Sequence, residues 1–354
     1  MQRFPLIDGL RAVAALLVVW YHVIEHSGWT AFPIHGWAKL PRAGWVGVDL
    51  FFVISGFVIG KTAMESYNRG GDWRNHYAGR RLTRIVPLYL MSGACYLFLV
   101  SPELLGSGWI SVGQVLSHLL FLHNLHPDTH GSIDGPNWSV ALEMQFYLLV
   151  ALSAPWLARA RWWQVLLVWS GVALIWRFAW TVVLEPGVAT PHIQMVASTQ
   201  LPGVLDQFGF GIALAKLTME GHLRYSPRRL LAWSLAAAVL LTAAWHLFWP
   251  RAYYWNDTGM IVLWRTLLSA GFAALLGVVV LLPRYGSWLT WPARYLGEIS
   301  YGIYLWHLPV LMTLLSATAV RGMDLLLMTF ACTIFLSALS WHGFEKLWLK
   351  AGKP

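Results

Sequence analysis

Two of the ionisable residues in the first apolar stretch of the chain, PLIDGLRAVAALLVVWYH, are spaced so that they could do chemistry together. Arg11 and His22 are eleven residues apart, which on an α-helix is about three turns, so both lie on nearly the same side with ~16 Å of rise between them. An ionisable residue inside a bilayer is costly and is usually functional. The spacing therefore indicates a pathway from the membrane edge to a reactive point at His22.

Two carboxylates from other apolar segments are expected at the depth of His22. Asp49 lies near the start of GWVGVDLFFVISGF, and Glu143 lies about one and a half turns into NWSVALEMQFY. If both segments run inward across the membrane while the first runs outward, all three groups lie in its outer half. Such convergence is typical of a buried acid–base site. The alternative is a structural cluster held by hydrogen bonds.

A second group of cations is predicted at the inner edge of the membrane. In YAGRRLTRIVPLY, Arg81 and Arg84 are three residues apart and share one helix face. With Arg11 they would form a positively charged cluster on the cytoplasmic side. An arginine side chain can donate two hydrogen bonds at once to a phosphate group. The alternative is an ordinary basic flank that contacts anionic lipid headgroups.

Two further arginines have two possible roles. Arg177 and Arg265 fall inside apolar segments at an outer-half depth, and Asp206 and Gln207 lie in an apolar segment between them. These residues could line an acceptor cavity on the outer side, or they could pair with one another as structural ions.

Tyr304 and His307, in GEISYGIYLWHLPV, are expected on one helix face because they are three residues apart. A histidine within a membrane helix often makes only an interhelical hydrogen bond, so His307 has a structural role as its alternative. Together with Arg177 and Arg265, this pair completes the candidate substrate-binding residues.

The segment between the third and fourth apolar runs is rich in histidine. It carries His118, His123, His126 and His130. These residues lack a sharp metal-ligand spacing, and no cysteine joins them. The pattern predicts a histidine-rich surface loop and no metal site.

The composition excludes an ordinary soluble protein. The chain is 57% hydrophobic and 12% charged, with a mean hydropathy of +0.55, whereas a soluble domain carries about 25% charged residues. Windows of about 20 apolar residues predict an all-α, polytopic fold of ten spans. Residues 1–354 are expected to form one integral-membrane domain with no extracytoplasmic soluble domain. The predicted spans lie near residues 8–27, 44–63, 82–100, 138–157, 162–184, 201–219, 229–249, 259–282, 297–318 and 323–345.

Lysine and arginine are unevenly distributed between the predicted loops. With a cytoplasmic N-terminus, the inner loops hold most of the 25 lysines and arginines, while the outer segment 101–137 holds none. By the positive-inside rule, both termini are expected in the cytoplasm. The net charge of +9 is thus explained by topology, and nucleic-acid binding is not expected.

Five motifs in this order resemble the acyltransferase 3 family of integral-membrane acyltransferases. They are DGLRAVAALLVVWYH, GVDLFFVISGFVI, RRLTRIVPLY, NWSVALEMQFYLL and LGEISYGIYLWHLPV. Together they cover most of the chain. A final family motif is only partly met, because SWHGFEKLW keeps Ser340, Trp341 and Glu345 but lacks the proline.

The resemblance implies an O-acyltransferase of the bacterial cytoplasmic (inner) membrane. Such proteins move an acyl group, acetyl by default, from cytoplasmic acyl-CoA to a hydroxyl of a carbohydrate or lipid-linked glycan. Arg11 and His22 would be the family's Arg–His pair, and Arg81 and Arg84 its paired arginines. Because no added hydrolase-like domain is expected in this chain, it would finish the transfer itself or pass the acyl group to a partner.

The expected mechanism uses Arg11, Arg81 and Arg84 for the phosphates of acetyl-CoA and His22 as general base on the acceptor hydroxyl. Asp49 is the preferred carboxylate to orient the imidazole, as in hydrolytic triads. Glu143 would then face the acceptor, although the two could be exchanged. An acyl-histidine intermediate at His22 is a variant. The rival function is a proton-coupled transporter or flippase. The oligomeric state stays open.

Overall fold

Helices account for all regular structure in the part of the chain that can be described. The computed structural model describes residues 5–34, 36–106, 108, 112–250, 254–282 and 290–351. Within these ranges no β-strand is present, and the all-α prediction is confirmed. Four residues that enter the charge distribution lie outside the described residues, namely Arg3, Arg251, Arg284 and Lys353.

The α-helices follow one another with short connections. In chain order they are α1 (Pro5–Ser27), α2 (Gly47–Arg69), α3 (Trp73–Cys95), α4 (Glu103–Gly106), α5 (Val112–Leu119), α6 (Pro127–His130), α7 (Trp138–Arg159), α8 (Trp162–Leu184), α9 (Pro191–Ser198), α10 (Leu205–Met219), α11 (Pro227–Phe248), α12 (Arg265–Leu281), α13 (Trp291–Glu298), α14 (Ser300–Ala317), α15 (Gly322–Ser340) and α16 (Lys346–Ala351). A 3₁₀ segment, Trp37–Val46, leads into α2, and π-helical turns follow α3, precede α12 and follow α15.

Eight helical segments of the described chain are long and apolar enough to cross a membrane, and a ninth is formed by α13 and α14 if this bent pair counts as one span. The protein is therefore a multi-pass membrane protein, as the sequence predicts. The number of full-length spans is lower than the ten expected. The orientation of the termini stays a prediction from the charge distribution.

The difference in number arises at predicted span 201–219. There the structure forms a 3₁₀ turn, Leu201–Val204, and then α10 with 15 residues. Such a helix is about 22 Å long, shorter than the ~30 Å hydrocarbon core of a bilayer. Nearly all of its first three turns are buried among neighbouring helices. This element is therefore an inner helix of the bundle, and its polar residues need protein partners.

Predicted span 297–318 is broken near its start. Helices α13 and α14 meet at an angle of 66°. Gly297 lies at the break, where an added Cβ atom would be 2.0 Å from the backbone oxygen of Asp8 in α1. Only glycine permits this approach. The contact holds the end of α13 against α1, and α14, which begins three residues later, also packs against α1.

Helix α2 lies at the centre of the bundle and contacts α1, α7, α10 and α12. It crosses α10 backbone to backbone, because Cβ atoms added at Gly56 or Gly211 would be 2.1 Å from a carbonyl oxygen of the other helix. By contrast, α11 exposes Leu231, Leu235 and Val239 along one stripe. This spacing is that of an apolar helix face, which here faces outward to lipid.

Candidate functional site

Two histidines from α1 and α14 face each other inside the bundle. His307 Nε2 lies 3.2 Å from His22 Nδ1, and the same His22 nitrogen lies 2.9 Å from the carbonyl oxygen of Val18. His307 Nδ1 in turn contacts the carbonyl oxygen of Tyr304 at 2.5 Å. A consistent assignment has each Nδ1 donating a hydrogen and His307 Nε2 accepting one. His22 Nε2 is then the unprotonated nitrogen, which can accept a proton.

His22 lines the largest cavity near this pair, which has a volume of about 400 Å³ and is called the outer cavity below. Small-molecule sites commonly measure about 300–1,000 Å³. Its remaining polar wall is formed mainly by three further imidazoles and one guanidinium, from His26, His130, His192 and Arg265. The cavity can therefore hold a small polar molecule against a basic nitrogen.

The carboxylate of Asp49 does not orient His22, which corrects the sequence-based expectation. Asp49 is fully buried and its Oδ1 accepts a hydrogen bond from Arg265 Nη1 at 2.8 Å. Arg265 directly follows the π-helical turn Met260–Trp264, and it lies against three aromatic rings. The ring centroids are 5.0, 5.7 and 6.0 Å from its guanidinium carbon, for Trp45, Trp255 and Tyr254 respectively.

Arg177 also forms a buried ion pair and is not part of the outer-cavity wall. Its Nη2 donates to Asp206 Oδ2 and to the hydroxyl of Thr266, each at 2.7 Å, and that hydroxyl donates to the same carboxylate oxygen. The side chains of Arg177 and Asp206 are at most 1% exposed. Of the two arginines that were candidates for an acceptor site, only Arg265 reaches the cavity.

Glu143 has a different environment from the expected one. Its Oε1 accepts hydrogen bonds from Tyr147 at 2.6 Å and from Ser55 at 3.0 Å. No hydrogen bond or ion pair joins it to His22 within the described ranges. It lines two small cavities together with Arg11. Glu143 therefore lies near Arg11 and is not bonded to the pair of histidines.

Two small cavities share wall residues with each other, and the first of them also shares wall residues with the outer cavity. The middle chamber, of about 40 Å³, shares Val48 and Tyr304 with the outer cavity. It shares Arg11 and Glu143 with the inner chamber, of about 50 Å³. Arg11 is the one residue of the described part of α1 that lines both chambers. The predicted pathway along α1 from His22 to Arg11 therefore stays a prediction.

Arg81 and Arg84 line the inner chamber with Arg11, so the structure brings the three predicted arginines together. Arg81 lies over the rings of Tyr77 and Tyr147, with 5.7 Å to each centroid. Such contacts hold a guanidinium in place without neutralising it. Three guanidinium groups thus line one chamber, together with the side chain of Glu143.

Tyr304 separates the outer cavity from the middle chamber, since it lines both. Its hydroxyl donates to the carbonyl of Pro136 at 2.7 Å and contacts the hydroxyl of Ser139 at 2.6 Å. The ring of Phe51 meets it edge-on at 6.0 Å. Tyr304 is therefore a fixed part of the wall between the two spaces.

Three of the four histidines predicted in a surface loop are buried, which contradicts the prediction for them, whereas His126 is exposed as predicted. The buried residues are His118, His123 and His130, and the rings of His118 and His123 stack at 3.9 Å. Burial lowers the pKa of His118 and His130 to about 3 and that of His123 to about 4. Burial also raises the pKa of Asp134 to about 8. These three imidazoles and the carboxyl group of Asp134 are therefore mainly uncharged at pH 7.

His130 is the functional candidate that sequence reasoning missed. It lines the outer cavity, and its ring stacks on that of Trp138 at 5.2 Å. The only sequence signal was the absence of lysine and arginine from its segment, which fits a buried position. Among the described residues, no group of three or more histidine, cysteine, aspartate or glutamate side chains is arranged to hold a metal ion.

Comparison with known proteins gives one family and several relatives. A family model described as an acyltransferase domain, of the acyltransferase 3 type, matches residues 4–342. The chain is 29% identical to a protein assigned as membrane-bound transacylase BcsY of Komagataeibacter xylinus, over 86% of this chain and 72% of that protein. It is 27% identical to peptidoglycan O-acetyltransferase OatA of Listeria monocytogenes, over 87% of this chain and 49% of that protein.

A third relative is a protein assigned as peptidoglycan O-acetyltransferase YrhL of Bacillus subtilis, 29% identical over 98% of this chain and 55% of that protein. The chain thus spans about half the length of the two peptidoglycan-named relatives. No solved structure matches the chain significantly.

Proposed function

The chain belongs to the acyltransferase 3 family, and from this premise we propose that it is a membrane O-acyltransferase. It would move an acyl group, acetyl by default, from acyl-CoA on the cytoplasmic side to a hydroxyl of a carbohydrate or glycolipid on the outer side. The observation that carries the proposal is that His22 lines a cavity which shares wall residues with the first of two small chambers, the second of which is lined by the arginine cluster. The relatives named O-acetyltransferases support the same reaction class.

The donor is proposed to bind at the inner end of the predicted pathway. Arg11, Arg81 and Arg84 converge there on one chamber, and guanidinium groups suit the phosphates of coenzyme A. The pantetheine arm would follow α1 toward His22. The chambers on this route, of about 40 and 50 Å³, are too narrow for the arm, so binding must widen them.

His22 is proposed as the general base. Its Nε2 takes the proton from the acceptor hydroxyl while the hydroxyl oxygen forms a bond to the thioester carbonyl carbon. The carbon–sulfur bond then breaks, and the thiolate of coenzyme A takes the proton back from His22. Atoms and electrons balance without any further reactant. In the variant with an acyl-histidine intermediate, the same nitrogen attacks the thioester first.

The other polar residues are proposed to support this reaction in roles that differ from those expected from the sequence. His307 holds the tautomer of His22, the role first given to a carboxylate. Asp49 neutralises Arg265 and holds it at the cavity wall, while Glu143 lies beside Arg11 along the donor route. The protein would act in the cytoplasmic membrane of a bacterium, with both termini in the cytoplasm.

Release of free thiol from acetyl-CoA by the purified protein in nanodiscs tests the proposal. An acceptor-stimulated release that vanishes in His22→Ala, in folded protein, is expected. Arg84→Ala should raise the KM for acetyl-CoA more than it lowers kcat, because its contact is to the phosphates. A transporter would instead move solute in proteoliposomes without consuming acetyl-CoA, and thiol release absent under all conditions would overturn the acyltransferase proposal.

A further inference from the structure

The outer cavity has aromatic walls contributed by separate segments of the chain. Trp45 comes from the 3₁₀ segment before α2, Trp138 from the start of α7, and Tyr254 and Trp255 from the turn before α12. Flat aromatic surfaces with a few polar groups between them provide both contact area and orientation for a ligand. The C–H faces of a sugar ring fit such walls, and its hydroxyls can reach the polar groups.

His130 supplies one of those polar groups. It is 3% exposed, and its Nε2 has no hydrogen-bond partner among the described residues. Trp138 covers one face of the imidazole, so the ring is fixed in orientation. A buried polar atom without a partner is costly, and a ligand hydroxyl at the cavity wall would remove that cost.

The charged residues that line the cavity favour an uncharged ligand over an anionic one. Apart from imidazoles, Arg265 is the charged side chain that lines it within the described part of the chain. Arg265 is already paired with the buried carboxylate of Asp49 at 2.8 Å. Burial lowers the pKa of His130 to about 3, so this imidazole is neutral at pH 7. An anionic group would enter the cavity without an unpaired cation to compensate its lost hydration.

We infer that the outer cavity is a subsite for a neutral, hydroxyl-rich sugar ring, which stacks on its aromatic walls and is positioned by a hydrogen bond to His130. This inference rests on the proposed function, because that function is what identifies the cavity as the acceptor site. It excludes uronic acids and sugar phosphates as preferred acceptors. His130 is a positioning residue for the acceptor hydroxyl, whereas His22 carries the proton transfer.

Equilibrium binding of paired glycosides to the full-length protein in nanodiscs tests this subsite without any donor. The probes are the methyl β-glycosides of glucose, galactose and N-acetylglucosamine, each compared with its 6-carboxylate analogue at pH 8, where ordinary imidazoles are neutral. At least one neutral member should bind, at least tenfold more tightly than its carboxylate counterpart. Equal or tighter binding of the carboxylates, or no binding of any neutral member, would overturn the inference.

Replacement of His130 by phenylalanine tests its positioning role, since the ring and its stacking on Trp138 are retained while both nitrogens are lost. The expected result is at least a tenfold rise in the dissociation constant and in the acceptor KM, with an unchanged KM for acetyl-CoA. His130→Gln should recover part of the affinity. His246→Phe, at an exposed position on α11, is the matched control and should bind as the wild type does. Unchanged acceptor affinity in His130→Phe would refute the role.

The two measurements separate failure of the subsite from failure of the enzyme proposal. Neutral-sugar binding that depends on His130 but comes without thiol release would support the proposed subsite and refute the proposed acyltransferase function. Thiol release stimulated only by the carboxylate sugars would support the acyltransferase function and refute the neutral-sugar subsite.

Discussion

Replacement of His307 by leucine should weaken acyl transfer without abolishing it, whereas His22→Ala should remove nearly all turnover. His22 Nδ1 has two acceptors in the structure, His307 Nε2 at 3.2 Å and the carbonyl of Val18 at 2.9 Å. When His307 is lost, Val18 still holds the hydrogen on Nδ1. His22 Nε2 therefore remains the basic nitrogen, but the ring is held by one contact in place of two.

The size of each effect follows from the interaction removed. One neutral hydrogen bond contributes about 0.5–1.5 kcal/mol net, and 1.36 kcal/mol corresponds to a tenfold change in rate. His307→Leu should thus lower kcat by about 2- to 13-fold. Loss of a general base costs about 10²- to 10⁴-fold, which is the loss expected for His22→Ala. His307→Gln should recover most of the rate, because the amide oxygen can accept the hydrogen from His22.

Acceptor-dependent release of thiol from acetyl-CoA, with both substrates at saturation, measures these rates. The thermal unfolding midpoint of each variant and its KM for acetyl-CoA are the controls. A loss of 10³-fold or more in His307→Leu, without rescue by glutamine and with substantial activity left in His22→Ala, would refute the reasoning. In that case His307 would be the base and the tautomers would be reversed.

Three predictions concern the structure around the site. Arg177→Met should lower the unfolding free energy by about 3–5 kcal/mol, because it leaves Asp206 buried without its cation; adding Asp206→Asn should restore most of this loss in denaturant titrations, and no restoration would contradict the pairing. Burial raises the pKa of Asp134 to about 8, so its contribution to stability is lost as the pH rises toward that value. Between pH 6 and 8.5 the wild type should lose about 2–3 kcal/mol more than Asp134→Asn, whereas parallel pH profiles would argue against a buried acid. Gly211→Ala should destabilise the protein by about 1–3 kcal/mol through the backbone contact with α2, while Gly171→Ala, with no atom within 4 Å of the new Cβ, should unfold at the wild-type temperature.

Hydropathy located most of the helices because a chain segment in an apolar medium must satisfy its backbone hydrogen bonds internally. A long apolar segment therefore forms a helix. The alignment of Arg11 with His22 and the shared face of Arg81 and Arg84 follow from helix geometry alone, and the structure places Arg11, Arg81 and Arg84 around one chamber. The break at Gly297 was not predictable, since the motif around it remains apolar on either side. What decides the break is a backbone contact with another helix.

The partners of the buried ions could not be assigned from the sequence. Burial requires that Asp49, Arg177, Asp206 and Arg265 find opposite charges, but it does not say which acid meets which base. The pairing of Asp49 with Arg265 joins residues 216 positions apart, and only the crossing of α2, α10 and α12 selects it. The burial of the outer histidines was missed for a similar reason, because short helices without a clear apolar period carry little signal.

The small size of the chambers between Arg11 and Tyr304 also bears on proton leakage across the membrane. Each proton that crosses a membrane with its potential releases about 2.3 kcal/mol per 100 mV, so an open water channel beside basic residues would drain the gradient on which the cell depends. Chambers of about 40 and 50 Å³ hold at most a few water molecules, and Tyr304 is fixed between them and the outer cavity. In the proposed function, the acyl group would therefore cross the bilayer only while the donor itself fills the opening, so that substrate binding and the sealing of the membrane would be one event.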